Sequence, residues 1–247
     1  MGGCRSAASG QLGTNRPANE APSRRTEPTD PAGRAPRAVR PTWEATVRRG
    51  IELILVTLAL LVLAIPMIVI GLVVRWSSVG PALFQQQRVG FGGRSFTMYK
   101  FRTMRTGVGD EMLRELIAAE LRGEDTSVDG SYKLDSDPRV TPIGALLRKT
   151  SLDELPQLLN VLFGDMSLVG PRPCLEWEAR MFPSEFQPRF SVRPGLTGLW
   201  QVSGRSTMGT LEMLHLDLTY VRTRNLLGDL SILARTIPSM LHADGAR

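Results

Sequence analysis

The sequence predicts a predominantly helical α+β fold of the monotopic membrane type, with one N-terminal hydrophobic helix, re-entrant or spanning, and a small domain with short strands. The run from Leu53 to Val74 is apolar and holds no charged residue. Two β-prone stretches flank a glycine-rich turn, and most later segments repeat large apolar residues at helical spacing. We expect three regions: a disordered basic tail (1–42), the membrane helix with flanking arginines (43–78) and the folded domain (79–242).

The first region is predicted to be disordered because residues 1–42 hold almost no large apolar side chain and cannot offset the entropy lost on folding. The chain of 247 residues carries a net charge of +6. Much of the excess lies in the tail and beside the apolar run, where lipid headgroups are the simplest partner. The arginines concerned are Arg34, Arg37, Arg40, Arg48 and Arg49. With two cysteines and two histidines, the sequence offers neither a disulfide framework nor a zinc site, so a cytoplasm-facing location is expected.

The hydrophobic run is long enough to cross a bilayer, for which about 18 apolar residues suffice. Two features nevertheless favour a helix that enters the bilayer and returns to the same face. Pro66 lies inside the run, where it removes one helical hydrogen bond and kinks the helix. Arginines also flank both ends, with Arg48 and Arg49 before the run and Arg75 after it. Because positive charge is retained on the cytoplasmic side, this pattern disfavours a crossing, although a straight span stays open.

Two short strands are predicted to follow as a hairpin, Ala82–Phe84 and Ser95–Tyr99, joined through a glycine-rich turn. Lys100 and Arg102 come directly after the second strand and place cationic side chains at its end. The spacing of apolar residues then predicts an amphipathic helix over residues 110–122.

Two closely connected helices are predicted next. Thr141 suits an N-cap and Pro142 the first helical position, so a helix is expected over Ile143–Lys149. Ser151 is expected to cap the following helix, with Glu154 three residues later completing a capping box. This helix should end at Gly164, and its buried stripe is expected to comprise Leu155, Leu158, Leu159 and Leu162.

Two later stretches are too rich in glycine and proline to be helical. Ser167–Pro173 is predicted to be a stiff turn that carries Arg172, and Arg193–Arg205 a loop and strand that ends in Arg205. Further helices are predicted over Leu175–Phe182 and within Thr210–His242.

The candidate chemistry centres on two adjacent carboxylates, Asp153 and Glu154. A lone Ser-x-x-Glu pattern is more often a helix cap than a site. Here, however, Arg148 lies five residues before Asp153, and Arg172 and Arg205 lie on stiff turns. Because guanidinium groups grip phosphate through two hydrogen bonds, we expect a diphosphate clamp with metal-assisted phosphoryl chemistry. The hydrophobic helix suggests that one substrate is a lipid.

Five strings carry a resemblance to a known family: YKFRTMR (99–105), DPRVTPIG (137–144), LLRKTSLDELPQLLNVLFGDMSLVGPRP (146–173), RPGLTGLWQVSGRS (193–206) and LDLTYV (216–221). They resemble the bacterial sugar transferase family, the monotopic phosphoglycosyl transferases that start exopolysaccharide, O-antigen and glycan assembly. The resemblance implies transfer of a sugar 1-phosphate from a nucleotide diphosphate sugar, usually of uridine, to polyprenol (undecaprenyl) phosphate. It also implies Mg2+, a covalent two-step mechanism, and a catalytic domain on the cytoplasmic face of the bacterial inner membrane.

By position, the resemblance implies that Asp153 is the nucleophile and that Glu154 binds Mg2+. Pro66 matches the proline that breaks the family's re-entrant helix, and Ile65 stands where many relatives have Ser. Larger relatives carry further membrane helices and an N-terminal domain, so this chain is expected to be the minimal catalytic form. Substrate contacts are expected from Arg148, Arg172, Arg205, Lys100 and Arg102.

Two other functions are left open, a catalytically inactive membrane-anchored scaffold and a basic binding protein. Neither needs Asp153 and Glu154 among stiff arginine turns. No interleaving of aromatic and basic residues indicates base stacking, so no nucleic-acid partner is expected. The expected partners are a nucleotide diphosphate sugar, polyprenol phosphate and membrane lipids, while the sugar and a homo-oligomeric state are left open.

Overall fold

The computed structural model describes residues 43–104, 111–127, 139–204 and 208–241. Within them the protein is mostly helical with a few short strands, as the sequence predicts; the proposed tail lies outside them. The helices are α1 (Trp43–Ser77), α2 (Glu111–Leu121), α3 (Pro142–Lys149), α4 (Gln157–Phe163), α5 (Glu176–Met181), α6 (Leu199–Ser203), α7 (Thr210–Thr223) and α8 (Leu226–Leu241). The strands are β1 (Leu83–Val89), β2 (Ser95–Phe101), β3 (Ser167–Val169) and β4 (Gly195–Thr197).

Helix α1 is the one described helix that is long and apolar enough to cross a membrane. It has 35 residues and continues through Pro66 as a single helical segment, so its length is about 52 Å. Only 6 % of its most apolar window is buried inside the protein. Side chains such as Leu61 and Val62 are exposed, which is the expected state of a helix that faces lipid.

The body of the protein packs against α1 on both sides of Pro66. Before the proline, Val56 is fully buried against Leu158 and Val161 of α4. After it, Val74 is buried against Phe101 and Leu147, at the end of β2 and on α3. One flank of the apolar helix is therefore covered by the folded domain along most of its length.

Charged groups hold both ends of α1 to that domain. Arg48 pairs with Asp229 of α8 at 3.0 Å, and Arg49 donates to the carbonyl oxygen of Val161 at 2.8 Å. The prediction that these two arginines meet lipid headgroups is therefore wrong, because Arg48 pairs with Asp229 and Arg49 with Glu52 within the protein. At the other end, Arg102 donates to the backbone oxygen of Ser78 at 2.7 Å.

Strands β1 and β2 form the predicted hairpin, with antiparallel pairing from Leu83↔Phe101 to Val89↔Ser95. The chain reverses at Phe91–Gly93, where Gly92 has a φ of 66° and Gly93 a φ of 73°. Backbone in this left-handed region favours glycine. The hairpin matters for the site because it carries Lys100 near the end of β2.

Helix α3 begins as predicted, since the Thr141 hydroxyl accepts a hydrogen bond from the Gly144 amide at 2.9 Å. The predicted capping box at Ser151 is wrong. Ser151 has a φ of 55° and makes no side-chain cap bond, and Leu152–Glu154 forms a 3-10 turn. Helix α4 begins only at Gln157, because Pro156 occupies the N-cap position, and the left-handed turn at Ser151 redirects the chain before it.

The buried face of α4 differs from the leucine stripe expected. Leu158 is buried, but Leu155, Leu159 and Leu162 are only partly so. The residues of α4 that are buried are Gln157, Leu158, Asn160 and Val161. The helix ends at Gly164 with a φ of 91°, as the sequence predicts. Polar side chains thus share the buried face, which the apolar pattern alone does not reveal.

Strands β3 and β4 pair in parallel and are brought close together by glycines. A Cβ atom at Gly195 would lie 2.1 Å from the amide nitrogen of Gly170, and one at Gly198 would lie 2.4 Å from the Gly170 oxygen. We call Gly170, Gly195 and Gly198 the glycine seam. The predicted loop and strand over Arg193–Arg205 is right for β4 but misses α6, a short helix that follows Gly198.

The predicted C-terminal helices are confirmed as α7 and α8. Helix α7 packs through Leu214 and Leu218 onto Phe186. Helix α8 buries Ile232 against Val169 of β3, while Leu227 and Ile237 are exposed. The predicted helices over 110–122 and Leu175–Phe182 are also present, as α2 and α5.

Candidate active site

Asp153 and Glu154 lie in the 3-10 turn between α3 and α4. Asp153 is 7 % exposed, and the side chain of Glu154 is 17 % exposed. The turn exists because Ser151 redirects the chain after α3 and Pro156 delays the start of α4. The two carboxylates are consequently presented on a short, tightly bounded segment rather than along one face of a helix.

Lys100 reaches both carboxylates from β2. Its Nζ atom lies 2.8 Å from Glu154 Oε1 and 4.0 Å from Asp153 Oδ2. The strand that carries it is held by Asn160, which is fully buried on α4. Asn160 Nδ2 donates to the Thr97 oxygen at 2.7 Å, and its Oδ1 accepts from the Tyr99 amide at 3.1 Å. Asn160 therefore acts as a partner for the free edge of β2.

Arg172 approaches from the turn after β3, as the stiff Gly-Pro sequence predicts. Its Nη1 atom lies 3.8 Å from Glu154 Oε1, and its guanidinium carbon lies 5.9 Å from the centre of the Trp200 ring. The side chain of Arg172 is 39 % exposed. Its charge is thus directed to the carboxylates while much of its surface stays open to a ligand.

The other assigned cations have different positions. Arg148 is exposed at the end of α3 and lowers the pKa of Asp153 through its charge. Arg205 lies outside the described residues. Arg102 is 5 % exposed, and its guanidinium contacts Val74 and Ser78 at the end of α1. The assignment of Arg102 to substrate is therefore corrected: its side chain bonds carbonyl oxygens left free where α1 ends.

The environment of Asp153 perturbs its acidity. Burial raises the pKa of the Asp153 carboxyl above its usual value, and the attraction of Lys100 opposes this shift. The negative charge of Glu154 raises the pKa further, whereas Arg148 and Arg172 lower it. A buried carboxylate whose pKa is shifted by burial and by three nearby cations is typical of functional sites.

A small, partly open cleft adjoins Glu154, whereas Asp153 does not line it. Its lining combines cations, amide side chains and a few apolar groups, a composition that suits a polar anionic ligand. The lining residues are Arg88, Met98, Lys100, Glu154, Gln157, Arg172, Pro173, Gly195, Leu196 and Gln201. Sequence analysis missed Arg88, Gln157 and Gln201. Gln157 could have been flagged as a polar residue within an apolar helix, but no local pattern marks the other two.

The carboxylates suit a magnesium ion better than a zinc ion. Among the described residues no group of three or more His, Cys, Asp and Glu side chains could hold a metal. Mg2+ is usually bound by one or two carboxylates together with substrate phosphates and water. Glu154 fits that donor set, and the nearby cations would accompany the phosphates rather than the metal.

The geometry is accompanied by a sequence match over most of the chain. Residues 43–243 match the model of the bacterial sugar transferase family. The protein belongs to the bacterial sugar transferase family. The matched region includes α1 as well as the carboxylate turn, so the membrane helix is part of the shared unit and not an appendage to it.

Named relatives agree with this assignment. The exopolysaccharide production protein ExoY of Rhizobium meliloti is 40 % identical over 209 residues, which cover 85 % of this chain and 91 % of the relative. The undecaprenyl-phosphate galactose phosphotransferase of Salmonella typhimurium is 45 % identical over 169 residues, which cover 68 % of this chain and 35 % of the relative. The UDP-glucose:undecaprenyl-phosphate glucose-1-phosphate transferase of Caulobacter vibrioides is 38 % identical over 208 residues, which cover 81 % of this chain and 71 % of the relative.

Proposed function

We propose that this protein transfers a sugar 1-phosphate from a nucleotide diphosphate sugar, with uridine as the expected base, to undecaprenyl phosphate. The transfer would be the first membrane step of exopolysaccharide, O-antigen or related glycan synthesis. Family membership and the names of the relatives support the reaction class. The observation that carries the proposal is the buried Asp153 carboxylate with Lys100 and Arg172 beside its neighbour Glu154.

In the first step, an oxygen of Asp153 attacks the phosphorus that bears the sugar. A bond forms between that oxygen and phosphorus, and the bond from phosphorus to the bridging oxygen breaks. The nucleoside monophosphate leaves with the bonding electron pair, and Asp153 holds the sugar phosphate as an acyl phosphate. A carboxylate is a weak nucleophile at a charged diphosphate, so positive charge from Lys100, Arg148 and Arg172 is needed to reduce the repulsion.

In the second step, a phosphate oxygen of undecaprenyl phosphate attacks the same phosphorus. The bond to Asp153 breaks, the carboxylate is released, and the product is an undecaprenyl diphosphate sugar. The two steps allow the soluble donor product to leave before the lipid phosphate attacks. One cleft therefore serves both substrates, and Lys100 and Arg172 face the phosphorus in each step.

Mg2+ is expected to be held by Glu154 together with the donor phosphates. When bound, it would withdraw electron density from the phosphates and neutralise their charge. Lys100 lies 2.8 Å from Glu154 Oε1, so it can fix the orientation of that carboxylate. Asp153 is then left as the nucleophile, whose pKa is raised chiefly by burial.

The contacts of α1 support a monotopic arrangement on the cytoplasmic face of the bacterial inner membrane. Arg49 and Val74 both meet the folded domain, yet they are separated by about 38 Å of helix. The hydrocarbon core of a bilayer is about 30 Å thick. A straight crossing would take these contacts through the bilayer, whereas a helix bent at Pro66, or one lying in the interface, keeps both ends on one side.

Labelling with a membrane-impermeant maleimide tests this arrangement. Trp43→Cys and Val79→Cys place thiols at the two exposed ends of α1, in a chain whose Cys4 and Cys174 are replaced by Ser. Both should be labelled in inverted vesicles and protected in intact spheroplasts. Labelling of the two positions from opposite sides would contradict a monotopic arrangement.

Asp153→Asn tests the reaction. Purified protein is incubated with undecaprenyl phosphate, Mg2+ and a panel of nucleotide sugars, and release of the nucleoside monophosphate is measured. The wild type should turn over one or a few donors and, without acceptor, gain the mass of a sugar phosphate. Asp153→Asn should lose both signals. The matched control Glu124→Gln alters an exposed acid and should retain both, whereas normal turnover in Asp153→Asn would favour a scaffold or binding protein.

A further inference from the structure

Each residue of the segment that carries Arg172 has a backbone group in a hydrogen bond. It runs from Gly170 to Cys174, between the end of β3 and the residue that bridges to Val89. Partners come from three separate parts of the chain, β1, β4 and Arg189, so the segment cannot shift as a loop normally does. The bonds are Gly170 N to Thr197 O at 2.9 Å, Gly195 N to Pro171 O at 2.8 Å, Arg189 Nη2 to Arg172 O at 2.9 Å, Arg88 Nη1 to Pro173 O at 3.3 Å and Val89 N to Cys174 O at 2.9 Å.

Only the Arg172 carbonyl oxygen in this set is held by a fully buried ion pair. Arg189 is 2 % exposed and Asp217 of α7 is 1 % exposed. Asp217 Oδ2 accepts from Arg189 Nη2 at 2.7 Å and from Nε at 3.2 Å. The guanidinium carbon of Arg189 also lies 5.1 Å from the Phe182 ring and 5.3 Å from the Phe190 ring.

Stability alone does not account for this pair. The cost of removing two charges from water roughly cancels their attraction, and apolar replacements of buried pairs are often neutral or stabilising. The pair instead fixes the orientation of the Arg189 guanidinium group. Asp217 fixes the plane of the Arg189 guanidinium, so that Nη2 points at the Arg172 oxygen, and an apolar side chain could not hold that oxygen.

Arg172 requires such support because its own side chain is held loosely. Its Nη1 atom lies 3.8 Å from Glu154 Oε1, beyond hydrogen-bond distance, and its side chain is 39 % exposed. Two-point binding of a phosphate depends on where the guanidinium is placed, and a displacement of about 1 Å can cost about 100-fold in rate. The backbone beneath Arg172 is therefore the part of the residue that the fold can fix in advance.

We propose that Arg189 and Asp217 are positioning residues for Arg172 and that their effect on phosphoryl transfer passes through its carbonyl oxygen. This inference rests on the proposed function, since it gives Arg172 a phosphate to bind. Neither residue lies in the cleft, so they influence the donor without touching it.

A double-mutant cycle tests the inference in the full-length protein. Asp217→Asn removes the charge that orients Arg189, and it is measured alone and together with Arg172→Ala. The readouts are kcat and KM for nucleoside monophosphate release and the affinity for inorganic pyrophosphate. We expect Asp217→Asn to lower kcat/KM about 30-fold in the wild-type background and less than about 3-fold in the Arg172→Ala background, because coupled residues are not additive. Equal losses in the two backgrounds would overturn the inference.

Two further variants separate positioning from folding. Arg189→Met combined with Asp217→Leu removes both charges, so no lone charge is buried and folding should be retained. It should show the same loss of kcat/KM and of pyrophosphate affinity, and wild-type values in this variant would also overturn the inference. Arg122→Ala, which removes an arginine from an exposed pair, is the matched control and should change neither readout.

The pyrophosphate readout distinguishes the two hypotheses. If the wild type releases no nucleoside monophosphate from any donor, the proposed function fails. The inference then stands if Asp217→Asn weakens pyrophosphate binding only when Arg172 is present, and it falls if the weakening is the same without Arg172.

Discussion

The charged groups of this protein form two sets that differ in how completely they are paired. The anchor pairs, Arg48–Asp229 and Arg49–Glu52, lie at the start of α1 and are mostly buried, with separations of 3.0 and 3.3 Å. The site set consists of Asp153, Glu154, Lys100 and Arg172. Within it, Lys100 lies 2.8 Å from Glu154 and 4.0 Å from Asp153, and Arg172 lies 3.8 Å from Glu154.

This difference separates charges that build the fold from charges kept for a ligand. An anchor pair holds α1 in its place within the fold, so its loss should appear in the free energy of unfolding. In the site set, Arg172 is 39 % exposed and lies 3.8 Å from Glu154, so its guanidinium can bind a phosphate at little cost in rearrangement. Activity and stability should consequently respond to different substitutions.

The largest effect is expected from Lys100→Met, which removes the cation that contacts both carboxylates. We expect kcat/KM for nucleoside monophosphate release to fall about 300-fold, the range found when one preorganised electrostatic contact is lost. The free energy of unfolding should change less than the activity, because Asp153 and Glu154 keep other cations, Arg148 and Arg172, nearby. Denaturant unfolding in detergent micelles provides the second measurement. A large stability loss with normal activity would place Lys100 among the anchors.

Asn160→Ala is expected to affect both properties, because Asn160 belongs structurally to the anchors but holds the strand that carries Lys100. Two backbone groups of β2 lose their partner, Thr97 O and Tyr99 N. The loss should cost about 2 kcal/mol in the free energy of unfolding, and kcat/KM should fall about 10-fold as Lys100 loses its position. Unchanged activity in the folded variant would show that β2 keeps its place without Asn160.

Glu52→Gln should affect stability alone. Glu52 Oε1 accepts from Ser167 Oγ at 2.7 Å and from the Leu168 amide at 3.3 Å, and Oε2 pairs with Arg49. An amide keeps one acceptor but loses the charge, so the free energy of unfolding should fall by about 2 kcal/mol. Activity at low temperature should stay close to that of the wild type. A selective loss of activity would mean that α1 controls the site and does not only anchor it.

The smallest effect concerns the pH dependence of kcat/KM. Activity needs the Asp153 carboxylate, so it should fall as pH drops through its pKa, and burial raises that pKa. The acid limb should consequently lie above the usual range of an aspartate. Lys100 lowers the pKa of Asp153, so in Lys100→Met at equal Mg2+ the limb should move to higher pH. A limb that moves to lower pH would contradict the assigned nucleophile.

Much of the fold was predictable because its signals are local. An uncharged run predicts α1, a glycine-rich stretch predicts the hairpin turn, and Thr141-Pro142 predicts the start of α3. The capping box at Ser151 failed for a local reason too, since Pro156 and the left-handed Ser151 move the helix start to Gln157. The sequence pattern alone could not decide whether α4 begins after Ser151 or at Gln157.

The site was predictable only in part. Asp153, Glu154 and Arg172 are brought together as expected, and Lys100 joins them. Arg102 comes two residues after Lys100, just past the end of β2, yet it is buried at the end of α1. Which cation of such a pair faces the cleft depends on long-range packing. The roles of Asn160 and the Arg189–Asp217 pair were missed for the same reason, because their partners are 61 to 63 and 28 residues away along the chain.

The glycine seam limits how this scaffold can diversify. Because the backbones of β3 and β4 touch there, even a single methyl group would separate them and carry the arginine turn away from the carboxylates. Substitutions that retain this scaffold should therefore fall at side chains around the rim of the cleft, while the contact between those two strands stays as it is.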